Sequence, residues 1–116
     1  MRKLEANADA FGVFGYSFLE ENADKVQGAT IGGVKPTFEA IADGKYPVSR
    51  PLFFYVKKAH IGQIPGLKEY AEFFVSEKIA GEESPLAEYG LVTMPAEELA
   101  SVQKSTAALT PFAPKK

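Results

Sequence analysis

The chain has 116 residues, 46% apolar and 24% charged, close to the average of globular proteins, which disfavours disorder, collagen-like repetition and coiled coil. Thirteen basic and fifteen acidic residues give a net charge of −2, and without basic residues clustered on one face there is no electrostatic footprint for nucleic acid. Cysteine is absent, which removes disulfides, thiolate nucleophiles and Cys-ligated zinc, and no apolar run approaches the roughly 18 residues of a membrane-crossing helix.

Residues 2–8 have helix-forming composition but begin without a capping residue, as if a helix had been cut into, so a piece of a longer protein is expected. Arg2 and Lys3 are followed by Glu5 and Asp9 where a signal peptide needs an apolar stretch, so the chain as written carries no export signal. Phe11–Phe18 is apolar on both alternating faces and aromatic-rich, the pattern of a strand covered on both sides. Glu20–Val26 reads as a short helix, Ala29–Ile31 as a strand, and Gly32-Gly33 as a turn.

Thr37 is placed to cap a helix running through Ala42, with Glu39 in its first turn and Gly44 just past its end. Lys45–Pro51 forms a proline-bounded connector, and Leu52–Val56 is a second strand apolar on both faces. Pro65 can open a helix whose stripe is Leu67, Tyr70, Ala71, Phe74 and Val75, with Gly81 as its stop. A short strand is expected around Leu91-Val92 within Glu88–Met94. Pro95, with Glu97 and Glu98, starts a last helix carrying Leu99, Val102, Thr106 and Leu109 on one stripe. Alternating helices and strands make the fold class α/β.

Few constellations carry chemistry. Gly15-Tyr16-Ser17-Phe18-Leu19 has the first half of a nucleophile elbow but lacks its second glycine, and the single histidine, His60, reads as an ordinary loop residue. A hydrolase using Ser17 is therefore the weakest reading, and a lone histidine makes no metal site. Gly12 and Gly15 serve close packing, since no Gly-rich loop leads into a helix with dinucleotide or Walker spacing. The pairs Glu20-Glu21, Glu82-Glu83 and Glu97-Glu98 are solvated carboxylates that do not point together, and the doublets Lys57-Lys58 and Lys115-Lys116 are a strand end and a tail. Ser49-Arg50-Pro51 stands out, because a guanidinium fork and a hydroxyl suit an oxyanion and both lie in a connector just before a buried strand. Against that stands the plainer reading, a charged hinge residue paired with a neighbouring carboxylate.

One ordered set of motifs goes further. Phe11-Gly-Val-Phe-Gly-Tyr-Ser-Phe18 is followed by Glu20-Glu-Asn22, by Gly32-Gly-Val34 with Pro36-Thr37, and by the run from Asp43 through Gly-Lys-Tyr-Pro-Val-Ser-Arg-Pro-Leu to Val56. In that order and at those distances they resemble the C-terminal region of phosphate-type periplasmic substrate-binding proteins of ABC transporters. The likeness continues through Ile64-Pro65-Gly66-Leu67 and Tyr89-Gly90-Leu91-Val92, covering roughly residues 2–95.

The resemblance implies a partial type II periplasmic-binding-protein fold, with the chain a C-terminal fragment contributing to both lobes. Residues 1–46 would end the second lobe, 47–51 cross between lobes, 52–110 return to the first lobe, and 111–116 form a tail. The implied function is binding of phosphate or a related oxyanion for uptake through an ABC permease, by a periplasmic protein that is not an enzyme and needs no cofactor. The family's Ser/Thr-rich anion loops and Ser-Gly-Thr helix start are absent from this sequence, so no phosphate ligand carries over. Tyr16, Ser17 and Arg50 stand as cleft candidates on their chemistry alone. The alternative function is a stand-alone α/β interaction module without a transport role. The two doubly apolar strands, deprived of partners, point to a homo-oligomer, an intertwined dimer exchanging segments across the connector.

Overall fold

The computed structural model describes Leu4 and residues 6–113. The chain divides into two compact units, one formed by the chain up to Arg50 together with Tyr89–Val92, the other by Pro51–Glu88 and the chain from Thr93 onward. Of the helix expected over 2–8, residues 2, 3 and 5 lie outside the described residues, as does the end of the tail; Leu4 is helical, but Ala6, Asn7 and Ala8 are not.

In the first unit, helix α1 spans Tyr16–Glu21 and helix α2 spans Phe38–Ala42. α1 replaces the C-terminal part of the strand expected over Phe11–Phe18, and the helix expected over Glu20–Val26 is a succession of turns after Glu21. Its first turn is supported locally, with Phe14 stacked on Phe18 at a centroid distance of 4.6 Å. The Asn22 side-chain amide donates to the Phe18 carbonyl at 2.9 Å and so covers one of the acceptors a helix end leaves open. α2 forms as its sequence reads: the Thr37 hydroxyl accepts from the Ala40 N–H at 3.2 Å, Glu39 lies in the first turn, and Gly44 follows with φ of +66°. Between the two helices, Ile31 and Val34 exchange both backbone hydrogen bonds at 3.0 Å across Gly32 and Gly33, whose φ values of +60° and +82° suit a tight primed turn.

The second unit opens on a stretch without regular secondary structure, then a 3-10 turn over Lys58–His60. Four helices follow: α3 (Leu67–Phe74), α4 (Glu77–Ala80), α5 (Pro85–Glu88) and α6 (Ala96–Ala107). α3 starts two residues later than Pro65 suggests, because Gly66 at φ +80° takes the left-handed entry position. Ser76 breaks the expected long helix: its hydroxyl donates to the Phe73 carbonyl at 2.6 Å, and α4 begins behind it and ends at Gly81. α5 was not legible; the Ser84 hydroxyl accepts from the Ala87 N–H at 3.3 Å and is wholly buried in doing so. The core is small, made of Ala71, Ala80 and Leu99 with Thr93 beside them. α6 is tied to the end of α3 by Gln103, whose amide donates to the Val75 carbonyl at 3.1 Å, and it stops where Leu109 turns to φ +52°.

The α/β expectation is not met, since no strand forms among the described residues. Phe11–Phe14, Leu52–Val56 and Leu91–Val92 take up no regular secondary structure, and Ala29–Ile31 contributes only the single bridge to Val34. Apolar alternation prepares a segment for a sheet, but the ladder bonds need a neighbouring strand, and these segments have none. Among the described residues no helix is long and apolar enough to cross a membrane.

Candidate functional site

The first unit carries a cavity of about 570 Å³ that lies wide open to solvent. α1 gives it Tyr16, Leu19 and Glu20, the turns behind α1 give Ala23, Val26, Gln27 and Gly28, and the approach to α2 gives Thr30, Lys35, Pro36 and Thr37. Leu19, Val26 and Pro36 make its apolar floor, while hydroxyls, an amide, one ammonium and one carboxylate supply its polar groups. The floor depends on Gly28. A Cβ there would press against the Pro36 ring and come within 2.8 Å of the Leu19 side chain, so the backbone must pass at this point without a side chain.

The electrostatics centre on Tyr16. Desolvation, and then the hydrogen bond and charge of Glu20 one helical turn on, push its phenol above the ordinary value of 10.0, so it stays protonated as a donor. Lys35 is the one ammonium in the lining, and Thr37 already spends its hydroxyl as an acceptor in the α2 cap. The arrangement can hold a small polar molecule by hydrogen bonds. Its lining has no histidine and no thiol, so it offers neither a general base of ordinary kind nor a soft nucleophile. Among the described residues no group of three or more His, Cys, Asp or Glu is placed to hold a metal ion.

Of the three residues singled out from the sequence, only Tyr16 lines this cavity. Ser17 is its neighbour in the first turn of α1 but packs against Gly90, whose own position would meet the Ser17 Oγ at 2.7 Å from an added Cβ. Arg50 is exposed at the end of the first unit, where among the described residues it makes no salt bridge. Its neighbour Ser49 is engaged, donating to the Tyr46 carbonyl at 2.7 Å, while the Tyr46 hydroxyl donates to the Ala29 carbonyl at 3.0 Å. These two bonds brace the connector against the strand-like stretch before Ile31. His60 is a turn residue whose carbonyl accepts from Gln63 and Ile64. Lys35, Gln27 and Thr30 were missed by the sequence reading; the one available signal was Lys35 immediately ahead of the Pro36-Thr37 helix start.

Comparison with known proteins adds an independent line. The family model described as the PBP superfamily domain matches residues 2–78. The chain is similar to the phosphate-binding protein PstS of Staphylococcus haemolyticus, 36% identical over 83 residues, which is 67% of this chain and 26% of that protein. It is also similar to PstS of Staphylococcus saprophyticus, 27% identical over 108 residues, 89% of this chain and 33% of the relative. PstS of Staphylococcus epidermidis is 35% identical over 77 residues, 62% of this chain and 24% of that protein. The chain thus spans about a quarter to a third of the length of these curated relatives. No solved structure matches it at a significant level.

Proposed function

The chain belongs to the PBP superfamily, and from that premise we propose that it takes part in the capture of phosphate or a related oxyanion for uptake through an ABC permease. The observation that carries this reading is the likeness to phosphate-binding proteins named PstS over two thirds of the chain or more. Capture and release by a hinged receptor requires binding without turnover, so the proposed role is that of a receptor and not of an enzyme.

Within a whole receptor, this chain supplies the scaffold and the crossover. The change of compact unit at Arg50–Pro51 supports a lobe boundary beside the proposed 47–51 crossover, while Tyr89–Val92, inside the proposed 52–110 stretch, falls with the first unit. Tyr16 and Arg50 remain the cleft-facing candidates, Tyr16 as a neutral donor and Arg50 as a fork for an oxyanion. The site of action is outside the cytoplasmic membrane, where such receptors meet their permease.

The sequence holds none of the family's anion loops, so the anion-binding strength lies in the part of the receptor that the relatives have beyond the matched region. Calorimetric titration of this chain with phosphate tests this: no saturable binding at micromolar phosphate is expected, and tight saturable binding would contradict it.

A further inference from the structure

The segment after α6 turns back across the second unit. α6 ends in a Schellman motif: the Leu109 N–H donates to the Thr106 carbonyl and the Thr110 N–H to the Ser105 carbonyl, both at 3.0 Å. The left-handed residue of such a motif is ordinarily glycine, but here it is Leu109, at φ +52°. A residue with a Cβ resists that conformation and keeps it only where neighbouring contacts hold it there.

Two fastenings do so. Lys58, in the 3-10 turn, donates from Nζ to the Leu109 carbonyl at 3.0 Å, across 51 positions of the chain, and sets a cation at the negative end of α6. Beyond Leu109, Pro111 has a fixed φ and disfavours helical backbone at Thr110, so the short link delivers Phe112 with little freedom. Phe112 closes a ring triad, its centroid 5.4 Å from Phe53 and 5.6 Å from Tyr55, which stand 5.9 Å apart. These are the spacings of favourable aromatic pairs. Residues 51–57 form no regular secondary structure, so side-chain contacts place them; their other aromatic anchor is Phe54, stacked on Phe74 of α3 at 4.3 Å.

We propose that residues 109–112 are a strap, with Leu109 its strained latch, that locks the stretch after Pro51 onto the end of α6 and opens as one piece when either fastening is lost. Phe112 is 57% exposed and the Lys58 bond lies at the surface, so the strap can open without the unit unfolding. Closed, it shields part of Phe53 and Tyr55; open, it frees both rings and relaxes Leu109. All of these residues belong to the second unit, and neither a ligand nor the cavity enters, so the inference stands apart from the phosphate reading.

The chain has no tryptophan, so Phe112→Trp creates a single reporter. Acrylamide quenching of its emission, and energy transfer to it from tyrosine, read whether position 112 is docked. The reporter should be quenched more weakly than in urea and should receive transfer. Lys58→Met keeps the stem of the side chain and removes the donor, and should raise the open fraction about threefold or more. Phe53→Ala with Tyr55→Ala should also open the strap, and adding Lys58→Met to that pair should change little further, because one opening serves both fastenings. At the latch, Leu109→Gly suits the left-handed turn and should keep the strap closed, whereas the β-branched Leu109→Val should release it. A reporter quenched as in urea in the otherwise unaltered chain overturns the proposal. So does quenching that Lys58→Met leaves unchanged with circular dichroism retained, or identical behaviour of Leu109→Gly and Leu109→Val. Should Phe112→Trp fail to fold, the parent's tyrosines decide: Phe112→Ala should make their emission more quenchable, and no change overturns the proposal.

Discussion

Ser17 lies directly against Gly90, which holds φ of +86°, so that a Cβ at Gly90 would collide with the Ser17 side chain. The contact anchors the short Tyr89–Val92 stretch to the first turn of α1 inside one compact unit. It also gives Ser17 a packing role, in place of the exposed position a nucleophile needs.

Gly90→Ala should therefore destabilise the first unit by about 1–3 kcal/mol, combining left-handed strain with overpacking. Urea unfolding followed by circular dichroism measures it. Adding Ser17→Gly should recover part of the loss by removing the collision but not the strain. Ser17→Ala alone should leave any trace esterase signal unchanged, and a loss of such activity would revive a hydrolytic role.

Thr37→Ala removes the hydroxyl that accepts from the Ala40 N–H, and a lost cap of this kind costs about 0.5–2 kcal/mol. Thr37→Ser keeps an acceptor at the same place and should retain most of the stability. Equal losses for the two substitutions would show that the methyl group and not the hydrogen bond matters.

Leu99 is 4% exposed in a core with few members, so Leu99→Ala should cost about 2–4 kcal/mol with little collapse of neighbours to repair it. Leu99→Met, close in volume, should cost less than about 1.5 kcal/mol.

The Tyr16 phenol gives a pH signature. In the unfolded chain it ionises near 10.0, in the fold later, so this contribution to stability is complete below pH 10.0 and is lost as pH rises through the folded value. The difference between the ultraviolet titrations of the parent and Tyr16→Phe isolates this phenol, and Glu20→Gln should move its ionisation to lower pH. A Tyr16 ionisation that Glu20→Gln leaves in place would contradict the assignment to Glu20.

What could be read from the sequence was what neighbours in the chain decide. The Thr37 cap with Glu39, the Gly32-Gly33 turn and the α6 start after Pro95 depend on residues a few positions apart, and each is found where expected. Strands at Phe11–Phe18 and Leu52–Val56 depend on partners that no local pattern supplies, and among the described residues part of the first is α1 while the second forms no strand. The cavity was only partly legible. Tyr16 was noticed for its chemistry, but Lys35 joins it through the path of the backbone past Gly28, which no local pattern announces.

The central claim, that this chain is the scaffold-and-crossover part of a phosphate receptor, is tested most directly by grafting. The matched region of the Staphylococcus haemolyticus phosphate-binding protein PstS would be replaced by the corresponding part of this chain, and phosphate binding to the chimera measured by calorimetry beside the parent. The account predicts a folded chimera with saturable phosphate binding, weakened further when Arg50→Ala is introduced. A chimera that folds cooperatively yet binds no phosphate would contradict it.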